Sequence, residues 1–170
     1  MTRLIRRVLL SVTITLTATV ATAATVTLAR AAPTPAARPR AAVDSSSAVR
    51  AIEGFHAALA RGDSAAVLAM LSPDVVVGES GDIERYDDYR AHHLAADIAF
   101  AKTAPGSHTL VSALVEGNAA WATSTSIAQG RFNGRVVNSA GAELIVLTRA
   151  RADAPWMIRA IHWSSHRRPA

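Results

Sequence analysis

The sequence predicts an α+β domain in which helices come first and one curved, mostly antiparallel sheet follows. Three observations carry this. Between Ser47 and Phe100 apolar residues recur at helical spacing, broken only by the short β-branched run Asp74-Val-Val-Val-Gly78. Beyond Pro105-Gly106 the pattern turns to strands, over residues 109–116, 119–131, 135–138, 142–151 and 156–166. Those strands are parted by Gly117-Asn118, Asn133-Gly134, Ser139-Ala140-Gly141 and Asp153-Ala154-Pro155, residue types that favour tight reversals. Helices followed by strands, without alternation, place the helices on one face of a single sheet.

In chain order, Arg3, Arg6 and Arg7 precede an uncharged run from residue 8 to 28, with the small-residue sites Ala21-Thr22-Ala23 towards its end and Ala29-Arg30-Ala31 just after it. This layout predicts a secretory signal peptide over 1–31, cleaved after Ala31, and hence a periplasmic or secreted protein. The run is long enough to stay in a membrane uncleaved, but its many Thr and Ala make it only mildly apolar. Arg6-Arg7 weakly resembles a twin-arginine signal. With no cysteine anywhere in the 170 residues, a lipoprotein anchor, disulfides and thiolate chemistry are excluded together.

The charge balance follows. The chain carries a formal net charge of +5. Four of its basic residues (Arg3, Arg6, Arg7 and Arg30) and none of its acidic ones fall in the signal segment, so the remainder is close to neutral. No basic stripe with interleaved aromatics remains to suggest nucleic acid. Residues 32–46, with Pro33, Pro35 and Pro39 among Ala, Ser and Arg, predict a flexible linker, and the domain is expected over 47–168.

Ser47 is expected to cap a helix whose stripe is Val49, Ile52, Phe55, His56 and Leu59, stopped at Gly62. His56 is assigned no role. A shorter helix over 65–71 follows, then the strand 74–78 and an acidic loop, 79–84. Residues 86–100 form the organising helix. On its wheel Leu94 and Ile98 share a side with Tyr86, His93, Asp97 and Phe100, so an imidazole and a carboxylate face the core. Turned inward, such groups cost free energy unless they are paired or line a polar cavity. His92 points away.

The last strands carry large apolar groups on both sides. Simple alternation puts Trp156, Ile158, Ala160 and His162 on one face and Met157, Ile161 and Trp163 on the other. Leu144 and Val146 likewise oppose Ile145 and Leu147. One face meets the helices; the other predicts a homodimer built sheet to sheet, with Trp163 at the contact.

The order helix, short helix, strand, helix, then long strands ending in Glu143-Leu-Ile-Val-Leu-Thr-Arg149 and Trp156-Met-Ile-Arg-Ala-Ile-His-Trp-Ser-Ser165 resembles the nuclear transport factor 2-like (NTF2-like) superfamily, and within it the SnoaL-like and DUF4440-type domains. The resemblance covers about residues 47–168. It implies a cone-shaped fold, three helices closing a strongly bent mixed sheet around a pocket. The superfamily holds ketosteroid isomerases, scytalone dehydratase, polyketide cyclases and kinase-association modules, so the fold alone does not choose a function.

Three readings stay open. A cavity lined by Tyr86, His93, Asp97, Phe100, Trp121, Trp156 and His162 would bind a small ligand. With Asp97, His93 or His162 as general base, the same cavity would serve an isomerase, dehydratase or cyclase. His93 and Asp97, with His162 or His108 from the sheet, could instead ligate zinc or copper. No cofactor motif is present: Gly78-Glu-Ser-Gly81 has neither the lysine nor the parallel βα unit of a phosphate loop. Ser164-Ser165-His166 alternates along one strand and cannot form a triad, and Asp87-Asp88 suits a helix start.

Overall fold

The computed structural model describes residues 39–169, with side chains from Ser45 onward. The expected signal peptide and residues 32–38 of the expected linker lie outside the described residues. Helix α1 (Pro39–Arg61) begins before the expected Ser47, so residues 39–46 are helical rather than linker. Gly62, at φ 74°, ends it, and the Asp63 carboxylate caps α2 (Ser64–Met70) by accepting from the Ala66 N–H at 3.0 Å.

Strand β1 (Leu71–Glu79) is longer than the β-branched run, and the acidic segment after it is a hairpin, not a loop. Ser80 and Gly81 both adopt positive φ, which turns β1 directly into β2 (Asp82–Arg85). The organising helix is a composite. A turn of α-helix, α3 (Tyr86–Asp88), runs into a π-helical turn (Tyr89–His93) and then α4 (Leu94–Thr103).

Four long strands complete the sheet: β3 (Gly106–Glu116), β4 (Ala119–Phe132), β5 (Arg135–Thr148) and β6 (Met157–Arg167). The expected break at Ser139-Ala140-Gly141 does not occur, because these residues keep pairing with β4 and β6 throughout. The strand order is β2-β1-β6-β5-β4-β3, and every pair is antiparallel except β1 with β6. Ile52, Phe55 and Leu59 of α1 pack on Val75 and Val77 of β1, Ala120 and Ala122 of β4, Ile145 and Leu147 of β5, and Ile158 and Ile161 of β6. The helices thus cover one face of a curved six-stranded sheet.

One irregularity decides which residues share that covered face. Val146 pairs with Ala160 but Leu147 pairs with Ile158, so Arg159 is an extra residue, a β-bulge in β6. Across it the alternation changes phase. Ile158 lies inward before the bulge, and Ile161 and Trp163 lie inward after it. The expected face assignment beyond Arg159 is therefore reversed: Trp163 turns toward the helices and His162 toward the outer surface. His162 Nδ1 there lies 3.3 Å from where a Cβ on Gly78 would be.

Candidate functional site

With the phase set by the bulge, one rung of the sheet carries the polar groups of the inner face. Ser124 of β4 pairs with Glu143 of β5, Glu143 with Trp163 of β6, and Trp163 with Glu79 of β1. Neighbouring strands are about 4.8 Å apart, so the two glutamates stand roughly 10 Å from each other with the indole between them. Each anchors a cluster.

The first cluster gathers on the helix side of Glu79. The His93 imidazole lies among three carboxylates, with Nδ1 3.1 Å from Glu84 Oε2 and Nε2 3.2 Å from Glu79 Oε2 and 3.4 Å from Asp97 Oδ1. Glu84 Oε2 is buried and makes no well-angled hydrogen bond among the described residues, so its contact with His93 is electrostatic. Tyr89, fully buried, donates its hydroxyl to Asp97 Oδ2 at 2.8 Å and stacks on His93 with ring centroids 5.9 Å apart. The π-helical turn makes this possible. In a regular α-helix, residues eight apart lie about 80° from each other on the wheel; the wider turn brings Tyr89 back over Asp97.

Electrostatics follow from that geometry. Burial pushes the Asp97 carboxyl up to about 6, aided by the charges of Glu79 and Glu84, while the Tyr89 hydrogen bond and His93 pull the other way. The Tyr89 phenol is driven far above its ordinary value by burial and by Asp97, so it stays protonated and acts only as a donor. A carboxyl pushed up to about 6 that keeps side-chain exposure of 18% is a candidate acid–base group.

The second cluster surrounds Glu143, which is buried. Ser124 Oγ donates to Oε1 at 3.0 Å, Trp163 Nε1 donates to Oε2 at 2.7 Å, and His56 Nε2 lies 2.9 Å from Oε2. Burial alone would raise the pKa of Glu143; the hydrogen bond and charge of His56, with those of Trp163 and Ser124, outweigh it and hold the carboxyl below its usual range. His108 of β3 stacks on His56 at 4.1 Å, and its pKa is lowered by burial and by that neighbour.

Of the residues expected to line one cavity, the structure brings together only His93 and Asp97. Trp121, in register with Val146 and Leu114, lies on the outer face with His162. Trp156 donates to Ser47 Oγ at 2.9 Å, under the Arg149 guanidinium. Ser47 and His56 are nine residues apart on α1, roughly 13 Å along its axis, so Trp156 belongs to the other end of the core. Phe100 meets Phe132 edge-on at 5.4 Å, and Tyr86 packs against the main core. The expected metal set of His93, Asp97 and His162 is divided between the two faces. Sequence reasoning missed Tyr89, Glu79, Glu84, Glu143 and Trp163 as site residues and gave His56 no role. The available signal was the acidic density of 79–84 beside an inward-facing histidine.

No family model and no curated protein matches the chain. Solved structures do. A protein described as a candidate ketosteroid isomerase from Shewanella frigidimarina is 34% identical, with 71% of this chain and 97% of that one covered and a TM-score of 0.65. An NTF2-like superfamily protein from Salmonella enterica shares the fold at 19% identity and a TM-score of 0.57, covering 76% of this chain and 95% of its own. The chain belongs to the NTF2-like superfamily. Another structure with the same NTF2-like fold is the CaMKII hub of S. rosetta, at 17% identity and a TM-score of 0.56, with 72% and 96% covered. None of these three is described as a DUF4440-type domain, so that finer grouping remains an expectation from sequence.

Proposed function

We propose that this NTF2-like chain binds a small carbonyl compound between its helices and the inner face of the sheet, and that Asp97 moves a proton on it in an isomerase-type reaction. The observation that carries the reading is the Asp97 carboxyl itself, inward-facing, hydrogen-bonded by Tyr89 and pushed up to about 6. The description of the 34% identical Shewanella structure as a candidate ketosteroid isomerase supports the same reaction class. Asp97 accepts the proton α to the carbonyl; the electron pair passes to the carbonyl oxygen as a dienolate, and return of the proton to the γ-carbon moves the double bond into conjugation. Tyr89 is fully buried and already engaged, so it tunes Asp97 rather than touching substrate. His93 holds the carboxyl in place at 3.4 Å.

The test is conversion of a β,γ-unsaturated ketosteroid, followed by the ultraviolet absorbance of the conjugated product. Turnover that falls as pH drops through about 6, and that Asp97→Asn abolishes while the steroid still binds, supports the proposal. Binding without turnover in the unaltered protein replaces it with a plain ligand-binding domain. The proposal also places the protein outside the cytoplasm, on the strength of the Arg-rich, apolar start of the chain. Among the described residues no helix is long and apolar enough to cross a membrane. A homodimer through the outer sheet face is part of the reading. Leu114 and Leu144 are 53% and 39% exposed there beside Trp121 and Val146, an apolar surface that a second copy would cover.

A further inference from the structure

The proposed proton transfer does not use the cluster around Glu143. His56 of α1, His108 of β3 and Glu143 of β5 arrive from three separate elements, and their candidate ligand atoms all lie within 4.8 Å of one another. The carboxylate is fixed before anything binds: Ser124 holds Oε1, Trp163 holds Oε2, and Trp163 is itself stacked on Phe55. The two imidazoles lie ring over ring, tilted by 24°. His108 covers one face of its ring with His56 but is exposed over the residue as a whole, so the group opens to solvent on that side.

We infer that His56, His108 and Glu143 form a site for a single zinc-class divalent cation, with two imidazoles and one carboxylate as ligands and the remaining position open. Two imidazole nitrogens and a carboxylate oxygen are the donor set of open zinc sites, and neither thiolates nor an all-oxygen cage compete for another metal class. Ligands about 2.05 Å from a tetrahedral zinc stand about 3.3 Å from each other. The 2.9 Å between His56 and Glu143 is already close to that, and the exposed His108 has the freedom to close the rest. Ser124 and Trp163 orient the carboxylate from behind, as outer-shell partners do in metal sites.

The other candidate set, Glu79, His93 and Asp97, is the weaker one. It offers a single imidazole, both of whose nitrogens lie against carboxylates.

The test uses the untagged full chain, stripped with EDTA and titrated with zinc chloride by calorimetry, with cobalt(II) absorption as a second readout. One zinc per chain is expected. His108→Ala and Glu143→Gln should each weaken binding more than tenfold, since even partners that only orient a ligand are worth about 10–100-fold. His162→Ala, on the outer face, and His93→Ala should leave the affinity unchanged. Because His108 is exposed, its alanine variant should fold even where Glu143→Gln does not, and it then decides alone. Absence of stoichiometric zinc at tenfold excess overturns the site. So does binding that survives His108→Ala, or that is lost with His93→Ala instead.

Discussion

Asp97→Asn should make the folded protein more stable at pH 8 and leave it unchanged near pH 4. The carboxyl has an ordinary value of 3.8 and is pushed up to about 6 in the folded protein. A group raised in this way favours folding fully below its unfolded pKa, and that contribution is lost as pH rises through the folded value. Ionised Asp97 therefore costs the native state about 3 kcal/mol, from a shift of about two units at 1.36 kcal/mol each. Partial access to water reduces this, so about 1–3 kcal/mol is expected. Asparagine has the shape of the neutral acid, and its oxygen still accepts from Tyr89. Urea unfolding of both proteins at the two pH values reads the effect, because titrating groups remote from Asp97 cancel in the difference. With slopes of about 1–3 kcal/mol per molar urea, the variant's midpoint at pH 8 should rise by about 1 M. A variant that is less stable at pH 8, or one whose advantage is the same at both pH values, would refute the argument that buried charge at Asp97 is uncompensated. A functional carboxylate held at the expense of stability is what an acid–base site requires.

Trp163→Phe keeps the stack on Phe55 but removes the donor to Glu143, and should cost about 1.5–3 kcal/mol at neutral pH. The folded pKa of Glu143 is depressed, so that stability is present above the ordinary value of 4.5 and is lost as pH falls through the folded one. The variant's deficit should shrink in acid, and a pH-independent deficit in urea unfolding would exclude a carboxylate partner. Leu144→Glu, on the outer face, should halve the mass seen by light scattering while leaving the melting temperature of the folded subunit nearly unchanged. A wild-type protein that is already monomeric at micromolar concentration removes the proposed dimer.

The fold class was legible because it rests on local signals that tertiary structure did not override. Asn133 and Gly134 both take positive φ, as a two-residue hairpin demands, and Gly62 stops α1 where the apolar stripe ends. The inward turn of Asp97 and His93 was legible for the same reason. What could not be read were places where one residue's worth of phase is gained, two of which decide the site. The π-helical turn at Tyr89–His93 moves Tyr89 onto the Asp97 stripe, and no wheel drawn at 100° per residue shows it. The bulge at Arg159 exchanges His162 for Trp163, and strict alternation runs straight through it. Neither carries a local sequence signature, because each is set by what packs on both sides of the strand or helix. Glu79 and Glu84 were hidden differently: Ser80-Gly81 reads as a turn, but only the pairing of β1 with β2 shows that both glutamates stand over the inner face.

The Arg159 bulge also makes β6 tolerant of a one-residue change in length at that position. Deleting Arg159 would restore regular pairing while Ile158, Ile161 and Trp163 stayed on the inner face and His162 on the outer, because the residues on either side of the bulge already alternate in phase with β5. Glu143 would keep its indole donor, and what would go is the Arg159 side chain with its ion pair to Asp74. Among chains of this architecture, the gain or loss of a single codon at that position is a route by which one scaffold can change the bend of its last strand, with the side chains that line its interior left in place.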